Sequence, residues 1–192
     1  GHGIAHSGYV IATVYFSNNE LQKASSFALN SLSLFKELEE KVGQASVLGL
    51  LAVINNDDKA KKLTYLLQSQ KLHNETNPNG NGSITNMGNI GGTYADIYIH
   101  KTKDKFGKNK AIPNDYDSIY NSAIFYLNKA ISISKETGEQ SNISEFSDNL
   151  AQLQEHKGDY KNALANFKLS KQIDDSLYSQ ESKNQIATLE AQ

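Results

Sequence analysis

The sequence has 192 residues and a mass of 21.2 kDa, which suits one globular domain or a short array of repeats. Its 19 basic residues are all lysine and 21 residues are acidic, so the chain lacks the guanidinium fork that reads phosphate and guanine. Cysteine is absent, which excludes disulfides, thiolate zinc sites and a thiol nucleophile. Because the guanidinium fork is missing, we expect no nucleic-acid partner. No apolar run in the sequence reaches the roughly 18 residues of a membrane span.

The N-terminal part of the chain predicts a helical hairpin over about residues 4–41. Residues 1–3 resemble a cloning remnant, so we expect the folded array to start at residue 4. A short polar turn at 17–19 separates two stretches with apolar residues at helical spacing. The predicted contact face of the first stretch is Ile4, Gly8, Ile11, Ala12 and Tyr15, and that of the second is Leu21, Ala24, Ala28, Ser31, Leu32 and Phe35.

Two looser units are predicted in the middle of the chain, over about 42–76 and 83–137. The first of them opens on Leu48-Gly49, and the other opens on Ile90-Gly91. The 83–137 unit carries an insertion at about 99–115 that is rich in lysine, and we interpret it as a soluble basic loop. The glycines of the Gly88-x-x-Gly91-Gly92 segment fit helix packing better than a phosphate-binding loop.

A fourth unit, over about 140–172, repeats the layout of the first. Leu150-Ala151 is followed by Ala163 at the same spacing that separates Ile11-Ala12 from Ala24. Gly158 lies in the turn between the two helical stretches, where a glycine tolerates the left-handed conformation that ends a helix. The chain is therefore predicted to consist of about four helical hairpins.

These four units resemble the tetratricopeptide repeat family over roughly residues 4–172. Four features depart from the family pattern, namely the missing tryptophan, the missing proline at the ends of the repeats, the shortened second unit and the long insertion in the third unit. The resemblance implies an all-α fold, an α-solenoid of about four hairpins wound into a right-handed superhelix. It also implies that binding of a protein or peptide is the function, without a cofactor.

The C-terminal part of the chain carries a second resemblance. Residues 158–164, 175–178 and 183–192 are similar to the end of the repeat region in sensor histidine kinases of Bacteroidetes-type bacteria. The sequence stops inside a helical pattern, so we expect residues 173–192 to be a truncated linker helix or the start of a coiled coil. Its predicted apolar stripe consists of Ile173, Leu177, Ile186 and Leu189.

The second resemblance implies a ligand- or protein-binding sensor region of a membrane-bound two-component histidine kinase. The array would then lie on the periplasmic face of the inner membrane, and the C-terminal helix would form a homodimer and carry the signal. Two alternatives stay open, a cytoplasmic peptide-responsive transcriptional regulator and a stand-alone scaffold for protein–protein interaction. The residues do not distinguish these three possibilities.

No catalytic or metal site is predicted. His2 and His6 have the i, i+4 spacing of a metal-binding helix face, but we interpret them as surface residues. The acidic residue and proline that follow a phosphoacceptor histidine do not follow His156, and no Gly-x-Ser-x-Gly motif occurs. We therefore expect that this part of the protein is not an enzyme.

The predicted binding surface is the concave wall that the first helices of stacked hairpins form. Asparagine and glutamine amides can hold the backbone of a peptide, so an extended peptide or protein segment is the expected ligand. These first helices carry no lysine at the predicted positions, which disfavours a site for a C-terminal carboxylate. The predicted residues are His6, Tyr9, Thr13, Phe16, Thr85, Asn89, Asp96, Asp148, Gln152 and Glu155. Gly92 is a further predicted residue of the same surface.

Overall fold

The computed structural model describes residues 1–107 and 109–190. Its α-helices are α1 (His2–Ser17), α2 (Leu21–Glu37), α3 (Lys41–Ile54), α4 (Lys59–Thr76), α5 (Asn81–Ile99), α6 (Tyr116–Thr137), α7 (Gln140–Lys157) and α8 (Tyr160–Glu190). The described residues contain no β-strand, so the all-α prediction is confirmed. None of the helices in this part of the chain combines the length and apolar character that crossing a membrane requires.

Consecutive helices pack into four antiparallel hairpins, α1 with α2, α3 with α4, α5 with α6 and α7 with α8. Each hairpin also contacts the next one, because the second helix of one packs against the first helix of the following hairpin. The buried side chains form clusters that cross these boundaries. The predicted array of helical hairpins is therefore confirmed, and its stability comes from contacts between neighbouring units.

Short polar side chains and glycines set the ends of several helices. The carboxylates of Glu40, Asp58 and Asp115 accept hydrogen bonds from backbone N–H groups in the first turns of α3, α4 and α6. Gly138 and Gly158 adopt left-handed conformations, with φ of 79° and 86°, directly after α6 and α7. These residues fix the short turns and therefore the angle at which each helix leaves the previous one.

The insertion between α5 and α6 is anchored to the array. Ile112 is buried, and the hydroxyl of Tyr94 donates a hydrogen bond of 2.7 Å to the carbonyl oxygen of Ala111. The ammonium of Lys101 lies 3.8 Å from the ring centroid of Tyr98, in cation–π geometry. The lysine-rich insertion thus covers the side of the third hairpin, although Lys108 lies outside the described residues.

The apolar face of α1 differs from the prediction. Ala5 and Ala12 are fully buried against α2, whereas Ile4 and Ile11 expose 69% and 40% of their surface. Small residues occupy the α1–α2 contact because they allow close approach of the two helices. The two isoleucines instead lie on the exposed side of α1.

The last helix is longer than the second helices of the other hairpins, with 31 residues against 17 in α2. Ile173, the first residue of the predicted apolar stripe, is buried in the core of the array. Leu177 and Tyr178 are exposed, which shows that α8 leaves the core soon after Ile173. The side chains of Ile186 and Leu189 and the last two residues lie outside the described residues.

Candidate functional site

The first helices of the hairpins share one surface, which we call the first-helix face. A hollow of about 340 Å³ bridges α1, α3 and α5, and Tyr9, Ser46, Gly49, Thr85 and Asn89 line it. Gly49 leaves open space at its Cα, so the centre of the hollow is not filled by a side chain. The result is a shallow polar depression that spans three hairpins.

A second, smaller hollow of about 150 Å³ lies over the middle of α5. Gly88 and Gly92 form part of its floor, and the amides of Asn89 and Asn149 line it from α5 and α7. Lysine side chains reach it from the first turns of α4. Backbone and amide groups are therefore accessible here to an extended ligand.

Two lysines and two carboxylates, Asp96 and Glu145, line this central hollow. The ammonium of Lys59 lies 3.5 Å from a carboxylate oxygen of Asp96, and the ammonium of Lys62 donates a hydrogen bond of 2.7 Å to the side-chain oxygen of Asn56. Burial lowers the pKa of Lys62, and the neighbouring Lys59 lowers it further, with Asp96 opposing both effects. The two ammonium groups are therefore matched by two carboxylates, so the lining has no formal net charge and offers both signs of charge to a ligand.

A third hollow, of about 350 Å³, lies between α5 and α7 next to the central one. Asp96, His100, Asn149, Gln152 and His156 are among its lining residues. Nδ1 of His100 lies 3.2 Å from a carboxylate oxygen of Asp96, and Nδ1 of His156 lies 2.9 Å from the carbonyl oxygen of Gln152. Within the described residues, no group of three or more potential metal-ligating side chains converges.

Buried polar side chains support the first-helix face from below. The amide nitrogen of Asn86 donates hydrogen bonds of 2.9 Å to the carbonyl oxygen of Leu66 and to the side-chain oxygen of Gln70. Gln70 in turn donates a hydrogen bond of 2.8 Å to the hydroxyl of Ser83. Burial lowers the pKa of the nearby His73 imidazole, which favours its neutral form. This network fixes α5 against α4 and so fixes the position of Asn89 and Asp96.

The predicted site residues fall into three groups. Tyr9, Thr85, Asn89, Asp96 and Gln152 line the hollows of the first-helix face, as does Gly92. Asp148, Gln152 and Glu155 line a different groove of about 500 Å³ between α7 and α8, which we call the terminal groove. His6, Thr13 and Phe16 lie on α1 outside these hollows, and His6 is exposed beside Tyr9.

Lys59, Lys62 and Asn149 line the site but are not among the predicted residues. The prediction considered the first helices alone, whereas the start of α4 also borders the face. Lysine is therefore present at this surface, contrary to the prediction from the first helices. The helical spacing of three residues between Asn149 and Gln152 is the one sequence signal that points to Asn149.

By architecture, the chain is an all-α array of helical hairpins with a polar surface along its first helices. No known protein family matches its sequence, and no curated protein matches it either.

Proposed function

We propose that this chain is a tetratricopeptide-type repeat domain that binds an extended peptide or protein segment along the first-helix face. The observation that carries the proposal is the run of adjoining polar hollows from α1 to α7, lined by Thr85, Asn89, Asn149 and Gln152. Amide side chains can donate to and accept from a peptide backbone at the same time. Polar and charged groups of either sign on the segment would find partners in the central hollow, which Lys59, Lys62, Asp96 and Glu145 line.

A library of random linear peptides displayed on phage tests this proposal. We expect selection on the purified chain to enrich a set of related peptide sequences. The double substitution Asn89→Ala with Asn149→Ala should weaken the binding of a selected peptide about tenfold, because it removes two sets of hydrogen bonds. Isothermal titration calorimetry of each variant with the same synthetic peptide measures this loss.

The matched control for the peptide experiment is Asn128→Ala, which removes an exposed amide from the second helix α6. Its peptide affinity should equal that of the unsubstituted chain. Failure to enrich any peptide would overturn the proposal, as would equal losses in the double variant and the control.

We further propose that the domain is the sensor region of a membrane-bound histidine kinase on the periplasmic face of the inner membrane. The resemblance of residues 158–192 to such proteins supports this proposal, and so does the extension of α8 past Ile173. Binding on the first-helix face would alter the packing of α7 against α8, and a pair of α8 helices in a homodimer would carry the change onward.

The gene sequence downstream of the codon for Gln192 tests the sensor proposal. We expect about 20 apolar residues, the length of a membrane span, and then a His-Glu or His-Asp box that ends in proline. A helix-turn-helix domain without a membrane span would support a cytoplasmic peptide-responsive regulator instead. A stop codon soon after Gln192 would overturn both and favour the stand-alone scaffold.

A further inference from the structure

The terminal groove exposes a large apolar surface at the C-terminal end of the array. Tyr160, Leu164 and Phe167 of α8 line one wall and are 69%, 54% and 47% exposed. Asp148 and Ala151 contribute to the opposite wall, which belongs to α7. The groove has a volume of about 500 Å³, and its apolar side chains between two helices form the kind of surface into which the side chains of a third helix can pack.

Two hydrogen-bonded pairs at matching positions set the register between the first and last hairpins, although the donor lies on the second helix in one pair and on the first helix in the other. The hydroxyl of Ser31 donates to the carbonyl oxygen of Ala5, and the hydroxyl of Ser144 donates to the carbonyl oxygen of Ser170. Both pairs join the first helix of a hairpin to its second helix, and both are 26 residues apart. Ala5 is therefore equivalent to Ser144. By the same register Ala12 matches Ala151, Ala24 matches Ala163 and Ala28 matches Phe167.

In the other hairpins, the first helix of the next hairpin fills the equivalent groove. Val47, Leu48 and Leu51 of α3 are buried in one cluster with Ala12 and Ala28. In the same way, α7 inserts apolar side chains against the third hairpin, and its Ile143, Phe146, Leu150 and Leu153 are all buried. A first helix with this apolar stripe is thus the type of element that fits the terminal groove.

Helix α1 carries the same stripe, and it is uncovered. In the register above, Ile143, Leu150 and Leu153 of α7 are equivalent to Ile4, Ile11 and Val14 of α1. Those three side chains are 69%, 40% and 54% exposed. In addition, α1 contains no acidic residue, so it brings no like charge against Asp148 and Glu155 in the groove.

We propose that copies of this chain associate head to tail, with α1 of one copy bound in the terminal groove of the next. The contact would repeat the packing of α7 on the third hairpin and would bury Ile11 against Leu164. Such an interface joins two different surfaces, so it does not close on a dimer and gives longer chains as the concentration rises. It uses neither Asn89 nor Asn149, so its failure leaves the peptide-binding proposal standing.

Sedimentation equilibrium on the full 192-residue chain tests the association. The average mass should rise with concentration over about 10 to 500 μM, a range suited to a weak contact of a single helix. Ile11→Asp and Leu164→Asp should each abolish the rise, because each places a charge in the apolar contact. Phe125→Asp is the matched control, since Phe125 is 57% exposed on α6, and it should leave the rise unchanged. A mass that stays at that of one chain throughout would overturn the proposal.

Cross-linking identifies which surfaces meet. Because the chain has no cysteine, Ile11→Cys and Leu164→Cys can be introduced into separate copies without a background reaction. Under mild oxidation the mixture should give a disulfide-linked pair. The Ile11→Cys variant alone should form disulfide-linked pairs much more slowly than the mixture does. Equal self-linking of Ile11→Cys would show that two α1 helices face each other and would overturn the head-to-tail arrangement.

Discussion

Replacement of Gly88 by alanine should destabilise the array by about 2–3 kcal/mol, the usual cost of an added methyl in a tightly packed core. A Cβ at this position would overlap the ring of Phe146, which crosses from α7. The ring is 2% exposed and is enclosed by the core of the third and fourth hairpins, so it cannot move aside freely. Urea unfolding followed by far-ultraviolet circular dichroism measures the loss.

Gly49→Ala is the matched control for this prediction. Gly49 also lies inside a helix, but a Cβ there meets no atom within 4 Å. The control should gain about 0.5–1 kcal/mol, because alanine has the higher helix propensity. A second substitution, Phe146→Leu, should make Gly88→Ala less harmful than it is alone. Equal stabilities of Gly88→Ala and Gly49→Ala would contradict the packing at Gly88.

The glycines illustrate how far local sequence predicts this fold. The interpretation of Gly88 and Gly91 as packing residues is confirmed, since a Cβ at Gly91 would lie 2.6 Å from Cγ of Leu127 in α6. Gly49, in the Leu48-Gly49 pair on which the second unit was predicted to open, instead lines a hollow, and a Cβ there would meet no atom within 4 Å. The hydrogen bond from Ser69 to the carbonyl oxygen of Ala45 is equivalent to that from Ser31 to Ala5, and it aligns Ala52 with Ala12. More than one pair of a large residue followed by a small one occurs within α3. The spacing of such pairs therefore does not determine which of them aligns with the pair in the first unit.

The remaining differences come from contacts between units. Helical periodicity identifies Ile4 and Ile11 as one apolar face, but it does not say whether a second helix or a neighbouring hairpin covers that face. The central hollow raises the same difficulty, because Lys59 and Lys62 reach it from α4 of the preceding hairpin. Local patterns thus predicted the hairpins and much of the polar lining of α5, whereas residues contributed by an adjacent unit needed the three-dimensional packing.

Replacement of Asn86 by aspartate should cost at least about 3 kcal/mol at neutral pH, since it buries a charge and removes the amide donor that two buried acceptors use. Asn86 is 4% exposed, and its amide nitrogen lies 2.9 Å from two acceptors, the carbonyl oxygen of Leu66 and the side-chain oxygen of Gln70. Its own side-chain oxygen has no hydrogen-bond partner among the described residues. A carboxylate would therefore face acceptors and would gain nothing in return.

The pH dependence of this loss distinguishes a buried charge from a simple steric change. Burial raises the pKa of the introduced carboxyl above the value of about 3.9 that it has in the unfolded chain. The unfolded state therefore releases the proton first, so the loss grows as the pH rises above about 4 and shrinks below it, where the neutral acid can donate one hydrogen bond. Asn128→Asp, at an exposed position of α6, should change stability by no more than about 0.5 kcal/mol at either pH. Equal losses for Asn86→Asp near pH 4 and near pH 7 in urea unfolding would contradict the buried network beneath the first-helix face, because a steric effect does not titrate.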